Sequence, residues 1–256
     1  MTLDELTTLV ESELHRFLGE RKSVLPDAAP LIQEIDAVIS AGGKRLRPAF
    51  CYWGFRAAGG EHCAEIVRAA AALELLHTFA IVHDDVMDDS PQRRGRPTTH
   101  ARRGLSFAIL TGDLALVLAD AALIGSGFPS DVVTHALDAY SRMRQEVIAG
   151  QLLDLELSRS ISVSEDDARR VAVLKSGRYS VQEPLHIGAT LGGASYDLLE
   201  ALASFGEPLG EAFQLRDDLL GIFGEPAVVG KPVDSDIREG KRNVLYAKTV
   251  ASLDGA

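Results

Sequence analysis

The chain reads as an all-α protein. Leu (34) and Ala (33) make up about a quarter of its 256 residues while aromatic residues are 6%, a balance that favours helix over sheet. Apolar residues also recur at helical spacing, in Leu3, Leu6, Leu9, Leu14 and Phe17, in Val133, Leu137, Tyr140, Met143 and Val147, and in Leu202, Phe205, Leu209 and Phe213. Each series predicts one buried helix face. Gly and Pro punctuate the chain at intervals suited to helices of a few turns, and no solenoid repeat or low-complexity tract occurs. Breaks are predicted at residues 25–30, 42–43, 59–60, 90–97, 125–129, 158–164, 192–195 and 221–236. Ser164-Glu165-Asp166-Asp167 is a capping-like start for the helix after one of them. No linker is long enough to separate two domains, so a single domain over residues 1–256 is expected.

With 46% hydrophobic residues, 25% charged residues and a formal charge of −11, the composition is that of a soluble globular protein. A pI near 5.1 argues against a nucleic-acid binder, because phosphate backbones select basic faces. Yet 12 of the 26 Lys and Arg residues fall within residues 42–48, 93–103 and 231–242. Cations gathered on an acidic chain point to a specific anion. Cys51 and Cys63, twelve apart and without a CxxC partner, suggest neither a zinc site nor a disulfide framework, which fits a reducing cytosol. The N-terminus is acidic and lacks the features of a signal peptide. Residues 69–82, read as the most apolar stretch, are interrupted by Glu74 and His77 and are too short to span a bilayer. A cytoplasmic protein without a transmembrane segment is expected.

His83-Asp84-Asp85-Val86-Met87-Asp88-Asp89 ends an apolar helix, and Leu76, Ala80, Asp84 and Asp88 lie four apart on one stripe. Alone, such a run could be a solvated helix end. A second copy shifts that reading: Leu209, Phe213 and Asp217 form another stripe that runs into Asp217-Asp218. Burying unpartnered carboxylates costs several kcal/mol each, so inward clusters require cations. All-oxygen ligands with open positions suit Mg²⁺, which uses one or two carboxylates plus substrate phosphates. Gly42-Gly43-Lys44-Arg45-Leu46-Arg47-Pro48 and Arg93-Arg94-Gly95-Arg96-Pro97 supply guanidinium groups for such a phosphate. Adjacent arginines on a loop are usually just solvated; their combination with paired carboxylates carries the signal.

Along nearly its whole length the sequence resembles the trans-isoprenyl diphosphate synthases. The segments GGKRLRP (42–48), HDDVMD (83–88), RRG (93–95), GQLLD (150–154), KSGRYS (175–180), FQLRDD (213–218), GKP (230–232) and EGKR (239–242) occur in that family's order. The resemblance implies a helical bundle of the isoprenoid-synthase type around a central cavity. It implies head-to-tail joining of isopentenyl diphosphate to an allylic diphosphate, with Mg²⁺ as cofactor, about three ions once the allylic substrate is bound. It further implies that Asp84, Asp88 and Asp217 bind Mg²⁺ with Asp85 and Asp218 in support. Arg93, Lys175 and Lys231 would hold the allylic diphosphate with Lys241 adding charge nearby, and Lys44, Arg47, His77 and Arg94 would hold the diphosphate of isopentenyl diphosphate without metal. Ser176 and Gln214 oxygens would face the developing cation, with Gln151 and Asp154 behind them, and the released diphosphate would take the final proton. Phe79, five residues before Asp84 and about 7.5 Å down the helix axis, would floor the product pocket beside the small Ala80.

That pattern implies geranylgeranyl diphosphate as product, with farnesyl or another short chain as the alternative, and a homodimer as the assembly. A non-catalytic partner subunit and a terpene cyclase are the rival classes. The cyclase is disfavoured by the second diphosphate pocket and by the absence of Asn, Ser and Glu metal ligands around Asp217. Two departures from the family pattern stand out. Gly221 replaces a third aspartate in the second motif, and the chain stops soon after EGKR, so the family's C-terminal helices are expected to be missing.

Overall fold

The structure, a computed structural model, describes residues 1–160, 162–224, 237 and 240–254. The chain falls into two compact units, Met1–Ala136 with Ile187–Ala194, and Leu137–His186 with Ser195–Ala256.

The first unit contains α1 (Leu3–Val24), α2 (Ala29–Ser40), α3 (Leu46–Ala57), α4 (Ala64–Met87), α5 (Thr99–Arg103), α6 (Leu105–Ile124) and the start of α7 (Ser130–Ser158). Its one hairpin pairs β1 (Gln92–Arg93) with β2 (Arg96–Pro97) in antiparallel register. Thr2 and Glu5 start α1 with a capping box, each side chain bonding the other's backbone N–H. Leu6, Leu14 and Phe17 face the core as predicted, but Leu3 and Leu9 are exposed and Val10 and Leu18 take their place. Helix α4 is buried on nearly every side between Ile66 and Leu76, the pattern of a central core helix. Two close approaches lock it and its neighbour in place. A Cβ on Gly112 of α6 would lie 2.2 Å from the His83 ring, and one on Gly188 would lie 1.8 Å from the Cys51 carbonyl oxygen. Cys51 is fully buried and burial pushes its thiol pKa up to about 12, so it stays protonated.

The expectation that no segment could span a bilayer needs correction on length. At 24 and 20 residues, α4 and α6 are both long and apolar enough by composition to do so. Two thirds of the apolar window of α4 (67%) is buried inside its unit, as for a soluble core helix, whereas α6 leaves Leu105, Ile109, Leu110, Val117 and Ile124 exposed.

The second unit takes most of α7, then α8 (Glu165–Val171), a π-helical segment (Ala172–Gln182), the start of α9 (Glu183–Leu191), α10 (Tyr196–Phe223) and α11 (Val244–Asp254). Ser164 caps α8 by accepting from the Asp167 N–H at 3.1 Å, as its sequence suggests. Tyr140, Met143 and Val147 of α7 are buried as predicted. Helix α10 is turned the other way: Phe205, Leu209 and Phe213 are exposed while Gly206, Gly210, Asp218 and Gly221 are buried. The reason is a backbone-to-backbone crossing, since Cβ atoms on Gly206 and Gly210 would fall 2.9 Å from Gln182 Cα and 2.4 Å from Gly177 O. The helix also runs on through Gly221 to Phe223, so the predicted break starts later.

Candidate active site

In the first unit the site is built around the C-terminal half of α4. His77 and Asp84 are seven residues apart, which puts them on one helix face about 10.5 Å apart along the axis. Around Asp84 lie the acidic groups. Asp88 caps the helix, its N–H donating to the Asp84 carbonyl at 2.9 Å, and Asp84 and Asp88 are both half-exposed. Asp85 is the carboxylate that turns inward, at 5% exposure, so the buried stripe continues through Thr78, Val82 and Asp85 rather than Asp84 and Asp88.

Arg93 closes over this cluster. Its Nε donates to Asp85 Oδ1 at 2.7 Å and its Nη2 to Asp84 Oδ2 at 3.3 Å. Burial pulls the Arg93 pKa down, but Asp85, Asp84 and Asp88 together raise it above the usual value. The hairpin places this guanidinium. Arg94 and Gly95 both have positive φ, 52° and 71°, as a two-residue type I′ turn requires, so Arg93 and Arg96 pair across the ribbon.

Around His77 lie the basic groups. The charges of Arg47, Arg94, Arg93 and Arg45 all bear on its ring, and burial together with these guanidinium groups holds its pKa well below the ordinary value, keeping it neutral. The Arg94 pKa is lowered by burial and by Arg45, Arg93 and Arg47, while Glu74 opposes the shift. Lys44 is exposed and Arg47 half-exposed. This is a region of concentrated positive charge, with Glu74 buried among its guanidinium groups, and it is suited to a multivalent anion.

The second unit holds the other predicted residues. Gly150 of α7 lets the backbone of Lys175 approach so closely that a Cβ there would lie 2.5 Å from the Lys175 N. One turn further on, Asp154 accepts from Lys175 Nζ at 2.5 Å. Lys175 and Ser176 therefore sit on the π-helical segment, a geometry that no sequence signal announced and that often marks functional positions. On α10 the predicted stripe through Leu209, Phe213 and Asp217 is overturned: Asp217 is exposed, and Asp218, at 7% exposure, is the inward carboxylate. Gln214 Nε2 donates to Asp218 Oδ1 at 2.8 Å, which fixes the amide and leaves its Oε1 as the group's acceptor. Gln151 and Lys241 are half-buried, and Lys231 lies outside the described residues. Phe79 packs edge-on against His83, ring centroids 4.9 Å apart, with half-buried Ala80 beside it.

Among the described residues no three carboxylate, imidazole or thiol groups converge as a ready-made metal cage. The donor set nevertheless fits Mg²⁺. Its ligands are oxygens only, and Asp84 and Asp85 already hold a cationic group between them in Arg93. Mg²⁺ characteristically takes one or two carboxylates and leaves its other positions to water and phosphate.

A model of the polyprenyl synthetase family matches residues 29–255. The geranylgeranyl diphosphate synthase of Sulfolobus acidocaldarius is 38% identical over 237 residues, covering 90% of this chain and 70% of that protein. The (2E,6E)-farnesyl diphosphate synthase of Mycobacterium bovis is 40% identical over 210 residues, 82% of this chain and 57% of its own length. Among solved structures, the geranylgeranyl pyrophosphate synthase from Corynebacterium glutamicum, complexed with isoprenyl diphosphate and magnesium, superposes with a TM-score of 0.95 at 38% identity. That likeness covers all of this chain (100%) and 78% of the other.

Proposed function

The chain belongs to the polyprenyl synthetase family of prenyltransferases, and from that premise we propose that it condenses isopentenyl diphosphate head to tail with allylic diphosphates, giving geranylgeranyl diphosphate. The observation that supports this reading is that one face of α4 carries carboxylates around Asp84 and is surrounded by guanidinium charge around His77, two turns apart. A reaction that joins two diphosphates needs both; a cyclase, which acts on one, does not.

The roles follow from the chemistry of each group. Asp84, Asp88 and Asp217 would hold Mg²⁺, with Asp85 keeping Arg93 in place and Asp218 keeping Gln214 in place. When bound, the ion stabilises negative charge on the departing diphosphate. Arg93 and Lys175 bind the allylic diphosphate, and because charge grows on its oxygens as the carbon–oxygen bond breaks, they bind the transition state more tightly than the substrate. Lys231 and Lys241 add to the same charge. Lys44, Arg47, Arg94 and neutral His77 bind the other diphosphate and orient its double bond toward the ionising carbon. Ser176 Oγ and Gln214 Oε1 present partial negative charge to that carbon.

Incubation with Mg²⁺, labelled isopentenyl diphosphate and each of the five-, ten- and fifteen-carbon allylic diphosphates should give twenty-carbon product; no condensation would exclude the enzyme reading. A fifteen-carbon end product is the competing outcome. Phe79 is assigned as the floor of the product pocket, so Phe79→Ala should yield chains longer than twenty carbons, and an unchanged product distribution would remove that assignment.

The exposed apolar residues of α6, above all Leu110, Val117 and Ile124 seven apart on one face, support a homodimer. Light scattering should give twice the chain mass of 27.5 kDa, and Val117→Arg should return it to that of one chain.

A further inference from the structure

Arg45 and Glu74 are the charged residues of the basic region that cannot serve as ligands. The Arg45 side chain is 2% exposed and that of Glu74 6%. Arg45 Nη1 donates to Glu74 Oε1 at 2.6 Å, Nη2 to the Ile39 carbonyl at 2.6 Å, and Nε to Glu11 Oε1 at 3.1 Å. One guanidinium thus ties α1, the C-terminal end of α2 and α4 together, and the α2 carbonyl it caps carries the negative end of the helix dipole.

The backbone of Arg45 is equally constrained. It is left-handed (φ 49°), a costly conformation for a residue with a side chain, and it follows Gly42 and Gly43, which also have positive φ. Arg45 is the N-cap of α3, with the Ala49 N–H donating to its carbonyl at 3.0 Å, so its position sets the direction of the turn that carries Arg47. Gly43 lies against both neighbouring guanidinium groups: a Cβ there would be 3.0 Å from Arg45 Nη1 and 3.2 Å from Arg94 Nη2. Glu74 is one helical turn before His77 and is the anion whose charge also supports Arg94.

We propose that the buried Arg45–Glu74 ion pair is a positioning device for the metal-free diphosphate pocket, holding the Gly42–Arg47 turn and Arg94 in their binding geometry without touching substrate. The proposal rests on the reading of that pocket as the isopentenyl diphosphate site. Removing one partner would leave the other's buried charge without its main counter-ion, whereas replacing both with apolar residues of similar volume is tolerated by folds and often stabilises them. A purely structural pair would then be dispensable; a positioning pair would not.

The experiment uses the full chain with two variants, Arg45→Lys, which keeps the charge but loses the planar fork, and the double substitution Arg45→Met with Glu74→Leu. Both should raise KM for isopentenyl diphosphate about tenfold or more, the scale of a lost charge-assisted hydrogen bond, with kcat and the allylic KM within about twofold and the melting temperature of the double variant unchanged or higher. An unchanged KM for isopentenyl diphosphate in either folded variant would overturn the proposal, as would an equal rise for both substrates. Calorimetric titration with inorganic diphosphate in the absence of metal separates the proposal from the functional reading. If the wild-type chain binds it and both variants bind about tenfold more weakly, the positioning role stands even should no condensation occur; equal affinities, or no binding to the wild type, reject it.

Discussion

Asp84→Asn should lower kcat/KM for the condensation by about 10³-fold or more and leave the fold intact. The substitution keeps the volume and a hydrogen-bonding oxygen but removes the charge on which cation binding depends. Little structural cost is expected, because the contact it weakens is the longer of the two that Arg93 makes, 3.3 Å against 2.7 Å to Asp85. Asp85→Asn has a different signature. It weakens the shorter contact at a 5% exposed position, so Arg93 loses its main anchor and both stability and allylic KM should suffer. Steady-state kinetics across a Mg²⁺ titration distinguishes the two. Binding of isopentenyl diphosphate without metal should survive Asp84→Asn, since the basic pocket lies two turns away. Retention of more than a tenth of wild-type kcat/KM at saturating Mg²⁺ would be incompatible with Asp84 as a metal ligand.

Gly210→Ala should be the most damaging single methyl group in the second unit. The added Cβ would sit 2.4 Å from Gly177 O, 2.6 Å from its C and 2.7 Å from its Cα, all backbone atoms that cannot swing aside as a side-chain end would. Relief requires α10 to separate from the π-helical segment that carries Lys175 and Ser176 immediately before Gly177. A stability loss of about 3 kcal/mol or more is expected, together with a fall in kcat of about 10²-fold as Lys175 and Gln214 lose their geometry. Gly19→Ala is the matched control, because nothing lies within 4 Å of the new Cβ on α1 and the chain should gain up to about 1 kcal/mol from helix propensity. Urea denaturation of both variants measures the contrast; equal midpoints would mean that the crossing is looser than the structure has it.

How far the sequence could be read differs from element to element. Chain breaks at the glycines and prolines of residues 25–30, 59–60 and 125–129, and the cap at Ser164, were legible because they depend on local backbone chemistry. Asp84, Asp88 and Arg93 were legible as a group because their chemistry is local too, a turn of helix and a tight hairpin. Arg45 was hidden among residues of its own kind. Nothing in GGKRLRP separates a buried structural arginine from the exposed Lys44 and half-exposed Arg47, and the signals that do, a left-handed φ and a buried glutamate 29 residues away, are properties of the folded chain.

From the sequence alone come the helical class of this protein, the places where most of its helices start and stop, and the clustering of carboxylates and of guanidinium groups in short segments. Only the tertiary structure decided which side of each helix is inside. A period of 3.6 residues sets the angle between side chains but not the direction from which a neighbour approaches. On α10 the predicted apolar face of Phe205, Leu209 and Phe213 is exposed in its unit, because Gly206 and Gly210 admit another backbone on the opposite side. That choice buries Asp218 against Gln214 and leaves Asp217 exposed. Close approach through missing side chains is an interaction between distant segments, and it left no mark in the local pattern that the hydrophobic residues write.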